Sequence, residues 1–524
     1  LLYARINNKM YNAIIMNTEQ YVDVVYQIAY SLPEIAVIVL ILLNTFVIAI
    51  ATTKVSNKIV PKISMFGTLA IAVIMLIYTS SSIKTNTWLF AYNYFSYQLK
   101  MFLILCIFFG IALLVVKNVH KILSTNIYIT ILCNVLALMI SISTNNLLIM
   151  YIGLELYSIS LYFLLAPKTG VKYIILSTIM SAVFLYGTSL YYLNLNSISF
   201  VFLSNFDLNF LGTIGIFLIF SYLLFKTNIA PFHTWSVELY DSSPLPLVLF
   251  LDSLAKFILF SILACFCSVL LLHRVACFQD FLMTISVISL FIGGIVPFLE
   301  KNIKKFIAYS SVGHTGFALI VLSVFEKNLE IKHAIIYVFS YFLSSFCLFI
   351  GLIGIEKHKN IKYFDELRGA IKVYPTYLYA VLCGLLSMVG LPPFIGFVAK
   401  LNVFYMLAEH GRYWLIAAVS VYTMLTVAYT VSVIKHIFMK SEEKLDEVNT
   451  KINFLHVLSV AAILSIVVGS LVFQGIESRV ENMVKSLEYN NEKPANLRLL
   501  NILMSNENIK ELHNSLLSSI SNKP

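Results

Sequence analysis

Fourteen stretches of this chain are apolar and long enough to cross a bilayer, at about residues 33–52, 62–79, 97–116, 125–142, 146–166, 171–193, 211–229, 244–270, 279–299, 305–325, 332–355, 377–409, 413–438 and 455–474. A hydrocarbon core of about 30 Å needs roughly 20 such residues. Lipid offers no partner to a bare peptide group, so segments of this kind fold as helices. Of 524 residues, 59% are hydrophobic and 12% charged, and the mean hydropathy is +0.86. The expected fold class is therefore an all-α polytopic membrane protein of about 14 transmembrane helices.

The loops set the orientation. An even number of spans puts both termini on one side and divides the connecting loops into two sets. One set holds Lys54, Lys117, Lys168, Lys301, Lys357 and their neighbours; the other holds only Lys84, Lys100, Arg274, Lys327, Lys332 and Arg412. The bias is roughly three to one, which places the rich set inside and both termini outside. The net charge of +10 belongs to these loops, so no nucleic-acid partner is expected, and lipids surround the chain.

Against that background, Glu155, Lys226, Lys256 and Lys400 each lie within a span. A charge at the bilayer centre costs about 2.5–3.5 kcal/mol, so four would cost roughly 10–14 kcal/mol unless they pair or face water. The seven cysteines lie mostly in apolar stretches without metal-ligand spacing, as inert packing residues do.

Two spans are interrupted beside these charges. In the seventh, Pro231 frees the carbonyl of Thr227, next to Lys226; in the twelfth, Pro392 and Pro393 free the carbonyls of Met388 and Val389, about two turns before Lys400. Freed carbonyls at membrane depth need a wet or protein-lined cavity. Spans seven and twelve are the fourth members of two five-helix units, 4 to 8 and 9 to 13. Broken helices in corresponding positions are the mark of inverted-repeat transporters, whose ion path lies at mid-membrane. The alternative is that the prolines only shape packing.

Several strings resemble a known family: Gly153-Leu-Glu-Leu-Tyr-Ser-Ile-Ser-Leu-Tyr-Phe-Leu-Leu-Ala166, the run from Lys172 to Gly187, Phe225-Lys-Thr-Asn-Ile-Ala-Pro-Phe-His-Thr-Trp235, the run from Asn302 to His314, and Gly390-Leu-Pro-Pro-Phe-Ile-Gly-Phe-Val-Ala-Lys400. They are similar to the antiporter-like subunits of respiratory complex I and, among these, to NADH dehydrogenase subunit 2, the counterpart of bacterial subunit N. The resemblance covers about residues 97–440. It implies a proton-translocating core subunit of the membrane arm of NADH:ubiquinone oxidoreductase, with redox chemistry in other subunits. Lys400 favours this branch over subunit 4, which has Glu there. The chain departs from the family pattern at Glu300, Lys304, Lys305 and most of all Asp252, where a small uncharged residue is usual.

By that resemblance Glu155 and Lys226 form the uptake pair, Lys256 the relay and Lys400 the exit. Two charges about 8 Å apart at an effective dielectric near 20 interact by roughly 2 kcal/mol, so moving Glu155 relative to Lys226 can load or unload the lysine. His314, Ser310, Ser311 and Tyr309 are path-lining candidates on span ten; His314 is equally compatible with a neutral, hydrogen-bonded helix histidine. His233 and Trp235, after the first break, either line the path or pack, and His333 lies near the outer surface. Asp252 precedes Lys256 by one helical turn, and either pairs with it or points into water at the inner helix end.

The implied organisation is an N-terminal extension (1–32), peripheral helices one to three (33–124), a first five-helix repeat serving proton uptake (125–270), a second serving exit (279–440), a last span (453–474) and a polar C-terminal extension (475–524). In that extension Ile509, Leu512, Leu516 and Ile520 recur at helical spacing. The chain has no P-loop, Rossmann glycine pattern, cysteine cluster for iron and sulfur, or paired haem histidines. Flavin, iron-sulfur clusters and quinone are thus expected in partner subunits, with the other membrane-arm subunits, especially antiporter-like subunit 4 and the small membrane subunits, as neighbours. A composition rich in Phe, Tyr, Ile, Asn and Lys, and the lack of an import sequence, point to a mitochondrially encoded inner-membrane protein; the alternative is a bacterial plasma membrane. Rival functions are a subunit of a stand-alone sodium/proton antiporter or of a membrane-bound hydrogenase, or a structural spacer that has lost pumping.

Overall fold

The computed structural model describes residues 31–77, 85–86, 90–116, 125–165, 167–199, 209–270, 276–359, 361–439 and 454–487. Helices α1 (Ser31–Ile50), α2 (Thr53–Ile77), α3 (Tyr94–Val116), α4 (Asn126–Ser143), α5 (Leu147–Leu164) and α6 (Pro167–Leu195) are the first six spans. The seventh is α7 (Phe210–Lys226), a break, and α8 (Thr234–Ser242). Next come α9 (Leu245–Ser268), α10 (Ala276–Leu299), α11 (Ile303–Val324) and α12 (Ile331–Glu356). The twelfth span is α13 (Pro375–Val389), a break, and α14 (Ile395–Glu409), and α15 (Tyr413–Phe438) and α16 (Phe454–Leu471) are the last two. Among the described residues twelve helices are long and apolar enough to span, and α7 and α13 are shorter apolar helices. Both fall short because a break cuts them.

The breaks are helix endings of one type. In each, the chain turns through a left-handed residue, Asn228 (φ 62°) or Gly390 (φ 86°). The next amide then reaches back five residues, Ile229 N–H to Leu224 O (3.1 Å) and Leu391 N–H to Leu386 O (3.2 Å). This is the Schellman pattern, with proline following because it cannot continue the helix. Pro231, expected to free the carbonyl of Thr227, is not where span seven first breaks: the left-handed turn that closes α7 falls at Asn228, a residue type that tolerates φ > 0, three positions before Pro231.

The surface follows from the solvent. Side chains such as Leu42, Phe66, Ile152 and Phe163 are more than half exposed on the outer helices, as lipid-facing residues are. α9 is enclosed along its spanning length and α11 nearly so, so the innermost helices are those that carry Lys256 and His314. α10 and α11 approach so closely that a Cβ on Gly293 would collide with the backbone of Gly313, the close packing that small residues permit in membranes.

Three features differ from the expectations above. Lys100 is not a loop residue: it lies in α3, only 1% exposed, ion-paired with Glu34 of α1 and 4.7 Å from the centroid of the Tyr92 ring. Second, a helix follows the last span, α17 (Phe473–Lys485), which buries Phe473, Val480 and Val484. It is moored by Lys332, whose Nζ lies 3.1 Å from both Glu477 and Glu481. Third, Phe250–Ala255 within α9 forms a π-turn, which no sequence pattern announces. The spacing at Ile509–Ile520 and residues 1–30 of the expected N-terminal extension (1–32) lie outside the described residues.

Hydrogen bonds from Lys485 and Lys332 hold the Glu481 carboxyl down to about 2, against about 4.3 for a free glutamate. A depressed carboxylate stabilises above its unfolded pKa and loses that stabilisation as pH falls through the folded one. The mooring of α17 should be constant at neutral pH and loosen between about pH 4 and 2. Glu481→Gln should loosen it at pH 7, read as faster amide exchange along α17.

Candidate functional site

The four charges are held in different ways. Lys226 ends α7 and is 3% exposed. Its Nζ donates to Ser158 Oγ on α5 and, at 2.9 Å, to Ser177 Oγ on α6, and it lies 4.9 Å from the Tyr222 ring centroid. Glu155, half-buried on α5, accepts from Tyr222 Oη at 2.9 Å. Glu155 and Lys226 are within electrostatic range but share no ion pair among the described residues, and Tyr222 contacts both. The arrangement leaves the lysine solvated by neutral hydroxyls and sensitive to a carboxylate one step away.

Lys256 follows the π-turn of α9 and is 3% exposed. Asp252 is fully buried, with Oδ1 at 3.1 Å from Lys256 Nζ and from Tyr240 Oη of α8, and Oδ2 at 2.7 Å from Tyr341 Oη of α12. Of the two orientations open to Asp252 from the sequence, pairing is the one found; the inner-end, hydrated placement is not. The ring of Tyr341 lies 4.9 Å from that of His314 on α11, tilted by 32°. His314 bonds Tyr337 Oη through Nδ1 at 2.8 Å and lies within electrostatic range of both Lys256 and Lys400. Its Nε2 and both side-chain polar atoms of Asn228 are buried without a protein partner, and such groups ordinarily bind water.

Lys400 on α14 is 6% exposed, and its Nζ donates to the carbonyl of Val389 at 2.8 Å, one of those the proline pair was expected to free. A side chain on Gly390 would meet Lys400 Cδ at 2.8 Å as well as the positive φ, so glycine admits both the turn and the lysine.

Other candidates have less to offer. Ser310 and Ser311 are buried but donate to Ile307 and Ala308 of their own helix. Tyr309 is half-buried and packs on His233 at 5.9 Å. Trp235 donates to the carbonyl of Phe225 at 3.2 Å, so it seals the end of α7. Sequence reasoning missed Tyr222, Ser158, Ser177, Tyr240, Tyr341 and Tyr337. Helical spacing could have shown Tyr222 one turn before Lys226 and Ser158 one turn after Glu155; the others come from separate helices. Among the described residues no group of three or more His, Cys, Asp or Glu side chains could hold a metal.

An enclosed line of ionisable groups between two broken helices defines an antiporter-like membrane subunit. The family described as NADH:quinone oxidoreductase/Mrp antiporter, transmembrane, matches residues 144–426. The chain is 30% identical over 440 residues to NADH-quinone oxidoreductase subunit N of Pelagibacter ubique, covering 79% of this chain and 90% of that one. It is 31% identical over 373 residues to subunit N of a Wolbachia species, covering 68% and 79%. The fold matches a chain of respiratory complex I from Thermus thermophilus with a TM-score of 0.71 at 22% identity, over 85% of this chain and 99% of that one. It also matches a chain of the Mrp complex from Dietzia with a TM-score of 0.74 at 16% identity, over 88% and 98%. The chain belongs to this antiporter-like family of complex I membrane subunits, and within it to the subunit N branch.

Proposed function

We propose that this chain translocates protons in the membrane arm of NADH:ubiquinone oxidoreductase, coupled to electron transfer in other subunits. The observation that carries the reading is the enclosed series Lys226, Lys256, His314 and Lys400, each held by hydroxyl, carboxylate or carbonyl partners. The first five-helix unit (125–270) serves uptake and the second (279–440) exit. Glu155 sets the state of Lys226: close, it holds the lysine's proton, and withdrawn, it releases it to Lys256 and onward to Lys400. Buried water completes the steps that side chains do not span. Each proton moved against 100 mV costs about 2.3 kcal/mol, which must arrive from redox events at the flavin, iron-sulfur clusters and quinone of partner subunits. Antiporter-like subunit 4 and the small membrane subunits are the neighbours we assign. We place the chain in the mitochondrial inner membrane, since its 39 Phe and 31 Tyr against 3 Trp and 20 Gly suit an AT-rich organelle genome; the alternative is a bacterial plasma membrane. Purification with its partners tests the reading. A quinone-reducing assembly with iron-sulfur clusters is expected, and an assembly without redox centres that exchanges sodium for protons would replace it with the antiporter function.

A further inference from the structure

Asp252 stands on no surface and satisfies both of its oxygens across three elements. Oδ1 meets Lys256 on its own helix and Tyr240 on the half-helix after the first break, and Oδ2 meets Tyr341, whose ring packs against His314. One carboxylate therefore touches both halves of the line: the uptake side through Tyr240, the exit side through Tyr341. It sits within the π-turn, a rare helical geometry that recurs at functional sites. A carboxylate and an ammonium that close on each other carry no net charge, so the resting pair is far cheaper to enclose than Lys256 alone.

We propose, resting on the relay reading above, that Asp252 is a proton-carrying partner of Lys256 and that the middle of the relay is this two-residue unit. A proton arriving from the Lys226 side adds to the Asp252 carboxylate and gives the neutral acid. The attraction that pins the Lys256 ammonium is then lost, and the ammonium passes one proton towards His314 and Lys400. The acid next gives its proton to the neutral amine 3.1 Å away, which restores the ion pair. One proton enters and one leaves, and the unit alternates between zero and one positive charge.

The groups facing the pair are few. Tyr240 and Tyr341 hold the carboxylate, Tyr157 of α5 lies beyond Tyr240, and His314 approaches from α11. α3, which also packs here, brings Lys100 already closed with Glu34, and α12 adds to Tyr341 the Ser345 hydroxyl, 2.8 Å from Ser253.

The test is the pH profile of NADH-driven proton translocation by the intact respiratory complex. In Asp252→Asn nothing holds the Lys256 proton, so the middle unit loads only in more acidic medium. The optimum should move to lower pH by about 1 unit or more, the low end of what an opposite charge within about 4–6 Å produces. Asp252→Glu, which keeps the acid, should restore most of the native profile. An assembled Asp252→Asn complex with an unmoved profile overturns the proposal and makes Asp252 a staple between helices. If Asp252→Asn does not assemble, infrared difference spectra of the energised native complex decide: a protonated-carboxyl band that shifts in Asp252→Glu supports the proposal, and identical spectra overturn it. Lys226→Ala separates the two levels, because full coupled turnover in that variant removes the relay itself. An uncoupled Lys226→Ala with an unmoved Asp252→Asn removes only this inference.

Discussion

Lys226→Ala should leave the respiratory complex assembled while coupled quinone reduction falls by roughly 10²-fold, the low end of what a positioned proton-transfer group contributes. Assembly survives because the ammonium stabilises nothing by charge pairing: its partners are the hydroxyls of Ser158 and Ser177, and without it both can still bond to each other or to water. Truncation removes a buried cation whose desolvation is costly, so the fold loses packing but no salt bridge. Turnover falls because Lys226 is the amine on α7 within electrostatic range of Glu155 that can accept and pass a proton. Rate and assembly are read separately, by quinone reduction in membranes and by the mass of the purified complex. Normal turnover from an assembled variant would show that the broken seventh span is not on the path.

Lys400→Arg should also assemble, and should be uncoupled. Arginine keeps the charge and can donate to the Val389 carbonyl, which Lys400 reaches at 2.8 Å, so the break between α13 and α14 retains its partner. The guanidinium does not give up a proton at any accessible pH, so the last step of the relay stops while the helix ending stays intact. Proton translocation should fall by about 10²-fold with little change in the amount of complex. Full pumping by the arginine variant would reduce Lys400 to an anchor for the freed carbonyl.

The sequence displayed most of this site because charge in hydrocarbon is rare: Lys226, Lys256 and Lys400 stand out of their spans, and the proline pair pointed to the carbonyl that Lys400 meets. What it concealed depends on approach between helices. Ser177 and Tyr341 reach their lysine and aspartate from α6 and α12, and no spacing along the chain relates them. Lys100 looked like a loop cation because polar residues precede it, whereas its side chain turns inward to Glu34, 66 positions away. The ending at Asn228 was hidden behind a proline that supplied a sufficient reason for a break, and the π-turn at Phe250–Ala255 has no compositional mark. α17 has a weak signature in the sequence because its buried apolar face, Phe473, Val480 and Val484, is sparse.

That this chain carries protons is tested most directly by counting protons translocated per NADH oxidised, in sodium-free vesicles, for the native complex and for the residual turnover of Lys226→Ala. The account predicts translocation without sodium and a lower count per NADH in the variant. Equal counts, or translocation that requires sodium, would contradict it.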